Sequence, residues 1–219
     1  MGKQNPGRGK AILLVGCLSM FIAEVFAGSS RIWIIDPWSL IVTFWLYLGH
    51  LLFLLNVAFR TKRTSIPQLY LFGVLFALYE SWITKVLWWG YPGSEGAMFG
   101  LLRGIAIGEF IVLVFFWHPI MAFILPILCF QSFALSKELE QSSEEAILKS
   151  HFKFLKKNSI LMKIFVIMII VGSALLTFNS GLDLLTALIA GLSSTALIYI
   201  LFKISNKLSI NDLKLGNKG

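Results

Sequence analysis

Charge is scarce in this chain. Of its 219 residues only 14% are Asp, Glu, Lys or Arg, against 57% apolar, and the mean hydropathy is +0.81. A soluble domain of this length has no interior large enough for that much apolar surface, so lipid must solvate most of the chain. Cysteine is nearly absent. Cys17 and Cys129 both sit inside apolar runs and supply neither a disulfide framework nor a metal-ligand spacing. The motifs HExxH, GxSxG and CxxC are missing, as is a paired-glycine phosphate loop. No internal repeat marks the inverted halves of a transporter. Acidic residues are the rarer sign, 11 against 19 basic ones, for a net charge of +8. That excess follows membrane topology and does not form a nucleic-acid patch.

What is present is a series of long apolar runs. A helix crosses about 30 Å of hydrocarbon with about 20 residues, which predicts spans over 11–28, 38–59, 67–90, 108–135, 160–178 and 184–202. The fold class is therefore all-α, a polytopic transmembrane helix bundle that forms one membrane domain over 1–219. Basic residues gather between spans at Lys3, Arg8 and Lys10; at Arg60, Lys62 and Arg63; at Lys137, Lys149, Lys153, Lys156 and Lys157; and at Lys203, Lys207, Lys214 and Lys218. With six spans these clusters all fall on one side, which the positive-inside rule makes the cytoplasm, with both termini there. The opposite loops carry only Arg31 and Arg103. The reading is a multi-pass cell-membrane protein whose partner is the lipid bilayer.

Four segments qualify that reading. Breaking 98–135 at His118-Pro119 would give seven spans, but it would move the last two basic clusters to the outside. One kinked span containing Pro119 and Pro126 fits the charges. Before it, Gly96, Gly100, Gly104 and Gly108 recur every fourth residue, so 96–107 reads as a short re-entrant or interfacial helix packed closely on a neighbour. The polar stretch 137–159 begins with glutamates and ends with lysines, as suits the dipole of a short helix in a cytoplasmic loop. Glu24 within the first run argues against a cleaved secretory signal.

Ionisable residues deep in apolar runs are expensive and mark candidate sites. Counting inward from the outer edge at about 1.5 Å per residue, Glu80, His118 and His50 lie about 15 to 18 Å deep, at one level. Glu24 and Glu109 lie higher and suit a rim or path. On a straight helix Glu109 and His118 are about 180° apart, so His118 is the one kept in the cavity. His50 shares a face with Tyr47 and Leu54, and a hydrogen-bonding strut between helices is an equal reading of it. His118 precedes Pro119, which frees a carbonyl deeper in the helix. A Glu with one or two His can hold a divalent transition metal, activate water, or relay protons or bind a cation. A metal is compatible with the set and not required by it, and the substrate or cargo is not legible.

Glu80-Ser81-Trp82-Ile83-Thr84-Lys85 resembles the Glu-Glu-x-x-x-Arg motif of the membrane-embedded CAAX-processing and bacteriocin-immunity type endopeptidases. Val114 to His118 resembles their later Phe-x-x-x-His. The likeness covers about Leu71 to Leu135, with Ser81, Lys85 and Val114 departing from the pattern and no His-x-x-x-Asn following. It implies that Glu80 is a base for water and His118 its partner. The run Ala23-Glu24 with Gly28-Ser29, then Glu80, then His118 with Pro126-Ile127, is also similar to a group of membrane proteins that carries no assigned activity. Three functional classes follow. One is an intramembrane hydrolase or its inactive descendant, which requires Glu80 and His118 to approach closely. Another is a small proton- or cation-coupled carrier, in which Glu80 and Glu24 mark an outward path and which requires a continuous polar cavity between them. The third is a structural membrane-assembly subunit.

Overall fold

The computed structural model describes residues 7–30, 32–90, 96–97, 99–137, 146–157, 167, 184–205 and 207–216. Helix α1 (Arg8–Met20) runs into a wider, π-type turn over Phe21–Val25. Every residue from Leu14 to Met20 is buried, which is the pattern of a helix enclosed by others. A Cβ on Gly16 would meet Phe44 and Leu48 at 3.1 Å, so this glycine lets the next helix lie close.

Helix α2 spans Ser39–Arg60 and α3 spans Ile66–Ile83. Before α2, the Asp36 carboxylate accepts the Ser39 N–H at 2.7 Å, and hydrogen bonds from the Ser39 side chain and then its backbone hold the carboxyl below its ordinary value. Ser65 and Gln68 form a capping box at the start of α3, with Pro67 in the first turn; caps of this kind are worth about 1 kcal/mol. The sequence reading carried this span on to Gly90, but the helix stops at Ile83. Lys85 adopts φ 63, and a short helix α4 (Val86–Trp89) follows. Val86 packs with Leu113, Trp117 and Met121, and Leu87 with Ala77 and Val114. Burying that apolar turn against the bundle offsets the strain of a left-handed lysine.

Segment 96–107 is also different from its expected form. Leu101–Leu102 pairs antiparallel with Ile105–Ala106 as β1 and β2, joined by Arg103 at φ 52 and Gly104 at φ 82. Positive φ at both central residues is the two-residue hairpin turn whose twist suits paired strands. A Cβ on Gly96, Gly100 or Gly104 would meet nothing within 4 Å, and all three have positive φ. The four-residue glycine spacing is therefore a set of turn positions, not a packing stripe; Gly108 alone lies in a helix, where it is buried.

Helix α5 (Ile107–Ser136) is continuous over 30 residues, about 45 Å by rise, enough to cross hydrocarbon at a tilt. Over Phe110–Ile124 its turns are π-type, with Pro119 inside them. Helix α6 (Lys149–Lys157) lies in the polar stretch 137–159, and α7 spans Leu184–Ile204. Helices α2, α3, α5 and α7 are the four described ones long and apolar enough to cross a membrane. They leave Phe53, Leu71, Ile111 and Leu192 more than half exposed, as lipid-facing positions require. The expected span 160–178 lies outside the described residues except Ile167.

The start of α1 and the ends of α2, α5 and α7 meet at one pole. Lys10 Nζ donates to the Ile204 carbonyl at 3.0 Å, Lys137 Nζ to that of Ser205 at 2.8 Å, and Arg8 to that of Lys214. Asn56 donates to the Leu213 carbonyl at 3.0 Å and accepts the Leu215 N–H at 2.6 Å, pinning the C-terminal segment to α2. Helix α6 joins this pole through His151, which is fully buried: Nε2 donates to the Thr64 carbonyl at 2.7 Å, and Nδ1 accepts from Gln131 Nε2 at 2.8 Å. Burial holds His151 below the ordinary imidazole range.

Candidate functional site

Helices α3 and α5 meet where glycine faces proline. A Cβ on Gly73 would sit 2.6 Å from Pro119 Cα, closer than van der Waals contact permits. Glu80 lies seven residues beyond Gly73, two helical turns along the same face, so the close crossing aims its carboxylate at α5. On α5 the proline adjoins His118. The result is direct contact: His118 Nε2 lies 2.9 Å from Glu80 Oε2, with both residues buried.

The backbone around Pro119 fixes the imidazole. Proline brings no N–H, so carbonyls in the preceding turn need other donors. Tyr70 gives its hydroxyl hydrogen to the Phe115 carbonyl at 2.6 Å, and His118 Nδ1 lies 3.3 Å from the Leu113 carbonyl. A carbonyl only accepts, so Nδ1 carries a hydrogen in that bond, and Nε2 is the atom that exchanges. One proton then lies between Nε2 and the Glu80 carboxyl, as imidazolium with carboxylate or as imidazole with carboxylic acid. Ser81 Oγ adds a bond to Glu80 Oε2 at 3.4 Å.

A tyrosine extends the pair. Tyr47, on α2 and 1% exposed, has its hydroxyl oxygen 3.3 Å from His118 Nε2. The same hydroxyl donates to Glu24 Oε1 at the end of α1. Glu24 Oε2 accepts from Ser29 Oγ at 2.7 Å and Ser30 Oγ at 3.1 Å. Gly28, at φ 73, turns the chain so that the two serines fold back over the carboxylate. Trp117 Nε1 donates to the Ala23 carbonyl at 3.0 Å, and Ser19 Oγ to that of Ala122 at 2.7 Å, tying α1 to α5 on both sides of this contact. Six residues thus form one hydrogen-bonded series from a partly exposed carboxylate to a buried pair.

The other candidates stand apart from it. His50 Nδ1 donates within its own helix, to the Leu46 carbonyl at 2.7 Å, and its ring stacks on Phe76. Phe76 also lies edge-on to His118, centroids 5.8 Å apart, so the ring contacts both histidines. Glu109 is buried in the first turn of α5. The 180° count that set it opposite His118 assumed α-winding, which the π-type turns replace. Among the described residues no three His, Cys, Asp or Glu side chains converge as a metal site. Tyr47 and Tyr70 were not singled out as site residues; their apolar rings conceal the one polar atom that matters, and only the shared face of Tyr47 and His50 hinted at a role.

These features define a helical membrane protein with a carboxyl–imidazole pair enclosed between its helices. A family model described as an uncharacterized membrane protein family matches residues 13–215, and the chain belongs to that family. An uncharacterized protein of Archaeoglobus fulgidus is 47% identical over 116 residues, which cover 53% of this chain and 36% of the relative. The chain thus spans about a third of that relative's length. No solved structure matches. Neither match bears on the endopeptidase resemblance.

Proposed function

We propose that this chain is a proton-coupled membrane carrier or the proton-handling subunit of one, in which the Glu80–His118 pair takes up and releases one proton per cycle. The 2.9 Å contact between Nε2 and Oε2, with Nδ1 committed to a carbonyl, carries this reading. Ionisable pairs inside membrane bundles are the usual elements of proton relays. The gathering of basic residues at one pole supports a cytoplasmic position for that pole and for both termini in a six-span topology, in the cell membrane.

Reconstitution tests it. A potassium-diffusion potential across proteoliposomes should drive proton uptake, read by an entrapped pH dye, in the wild type and not in Glu80→Gln. Wild-type uptake in Glu80→Gln would remove the reading.

The direct Glu80–His118 contact also favours a second reading, the hydrolase implied by the endopeptidase resemblance. Cleavage of a fluorogenic transmembrane peptide that depends on both residues would support it. Uptake without cleavage supports the carrier.

A further inference from the structure

We propose that protons reach the Glu80–His118 pair from one pole only, through Glu24 and the Tyr47 hydroxyl, with Tyr47 as the obligatory relay. This inference rests on the proton-handling reading above and supplies its entry path. Tyr47 is the link between the two acids: its hydroxyl donates to Glu24 Oε1, and its oxygen stands 3.3 Å from His118 Nε2. The ring is held by a near-parallel stack on His118, centroids 6.2 Å apart, and by Phe76 edge-on at 5.6 Å. Glu24 is partly exposed and Ser29 exposed, so the series ends at the surface. That surface is the pole opposite the basic one, because α1 starts at Arg8 and reaches Glu24 at its far end. The Phe76 ring, which carries no proton-transfer group, contacts both His118 and His50.

The step balances. With the pair unloaded (Nε2 bare and Glu80 a carboxylate), a proton arriving on the Glu24 carboxylate frees the Tyr47 hydroxyl to turn its hydrogen from Glu24 to His118 Nε2; the Glu24 acid O–H then donates to the Tyr47 oxygen while the Tyr47 O–H breaks towards Nε2. Tyrosine ends neutral with its hydrogen on the Glu24 side, and Nε2 has gained one proton. Nε2 then delivers it to Glu80 Oε2, with Nδ1–H unchanged on Leu113. The next transfer requires the Tyr47 hydroxyl to swing its hydrogen towards Nε2 while the oxygen stays in place.

A pH jump on protein in lipid nanodiscs tests the path without a transported solute. The protonated-carboxyl infrared band of Glu80, identified by its loss in Glu80→Gln, reports loading. Tyr47→Phe and Glu24→Gln should each slow the band's appearance about a hundredfold, the scale of a lost proton-transfer group. The equilibrium band should survive in both variants, because each keeps Glu80, His118 and their direct 2.9 Å contact. Glu24→Gln carries the test if Tyr47→Phe does not fold. Wild-type rates in both variants would overturn the path and leave the pair's role standing. A rate loss accompanied by loss of the equilibrium band would make Tyr47 structural and also overturn it. Absence of any Glu80 band in the wild type would remove the underlying reading instead.

Discussion

Glu80 Oε2 stands 2.9 Å from His118 Nε2, across a helix crossing that exists because Gly73 has no Cβ to hold Pro119 away. The spacing leaves no room for a bridging water, so carboxyl and imidazole share a proton directly. Each half of the pair is costly in an apolar bundle without the other.

Removing one partner is therefore worse than replacing it with an amide. Glu80→Ala leaves a buried imidazole without its partner and should cost about 3 kcal/mol, the lower end for breaking a buried pair. Glu80→Gln can still donate to Nε2 and should cost less than half of that. Thermal unfolding in detergent, followed by intrinsic tryptophan fluorescence, checks the order.

Gly73→Ala tests the crossing. The new methyl would lie 2.6 Å from Pro119 Cα, a backbone atom with little freedom to yield. The helices must separate, at about 1 to 3 kcal/mol for overpacking. The Glu80 infrared band should shift in this variant, although neither member of the pair is altered.

His50→Phe should be nearly silent. Among the described residues the imidazole bonds only to a carbonyl of its own helix, and it packs on Phe76 and Tyr79, ring contacts that a phenyl group largely keeps. A stability change below about 1.5 kcal/mol is expected, the usual range for volume-conserving swaps. Proton uptake should match the wild type.

Acid should loosen α6. His151 is buried with its pKa below the ordinary 6.5, so in acid the unfolded chain binds a proton that the docked helix resists. Its stabilising contribution is complete above about pH 6.5 and declines as pH falls towards the lowered folded value. Hydrogen exchange of the Lys149–Lys157 amides should accelerate between pH 7 and pH 5, after correction for intrinsic rates. His151→Gln should flatten that dependence.

The sequence made the helical membrane class and the Glu80–His118 pairing legible, because an ionisable residue in an apolar run is conspicuous. The route to that pairing was partly mistaken. The depth count for Glu80 started from Gly90, whereas α3 ends at Ile83, and the pair meets because side-chain reach and the Gly73–Pro119 crossing compensate. The glycines at 96, 100 and 104 were misread because a four-residue spacing suits close helix packing as well as a run of turns, and only backbone dihedrals separate the two. Tyr47 was hidden for another reason. Its role depends on one hydroxyl reaching two other helices, a tertiary relation that no spacing within α2 encodes.

The most direct measurement of the central claim is an infrared difference spectrum of the reconstituted protein between acid and alkaline pH. The account expects a protonated-carboxyl band in the wild type that is lost in Glu80→Gln and displaced in His118→Gln. A wild-type spectrum retained unchanged in Glu80→Gln would contradict it, because Glu80 would then hold no exchangeable proton.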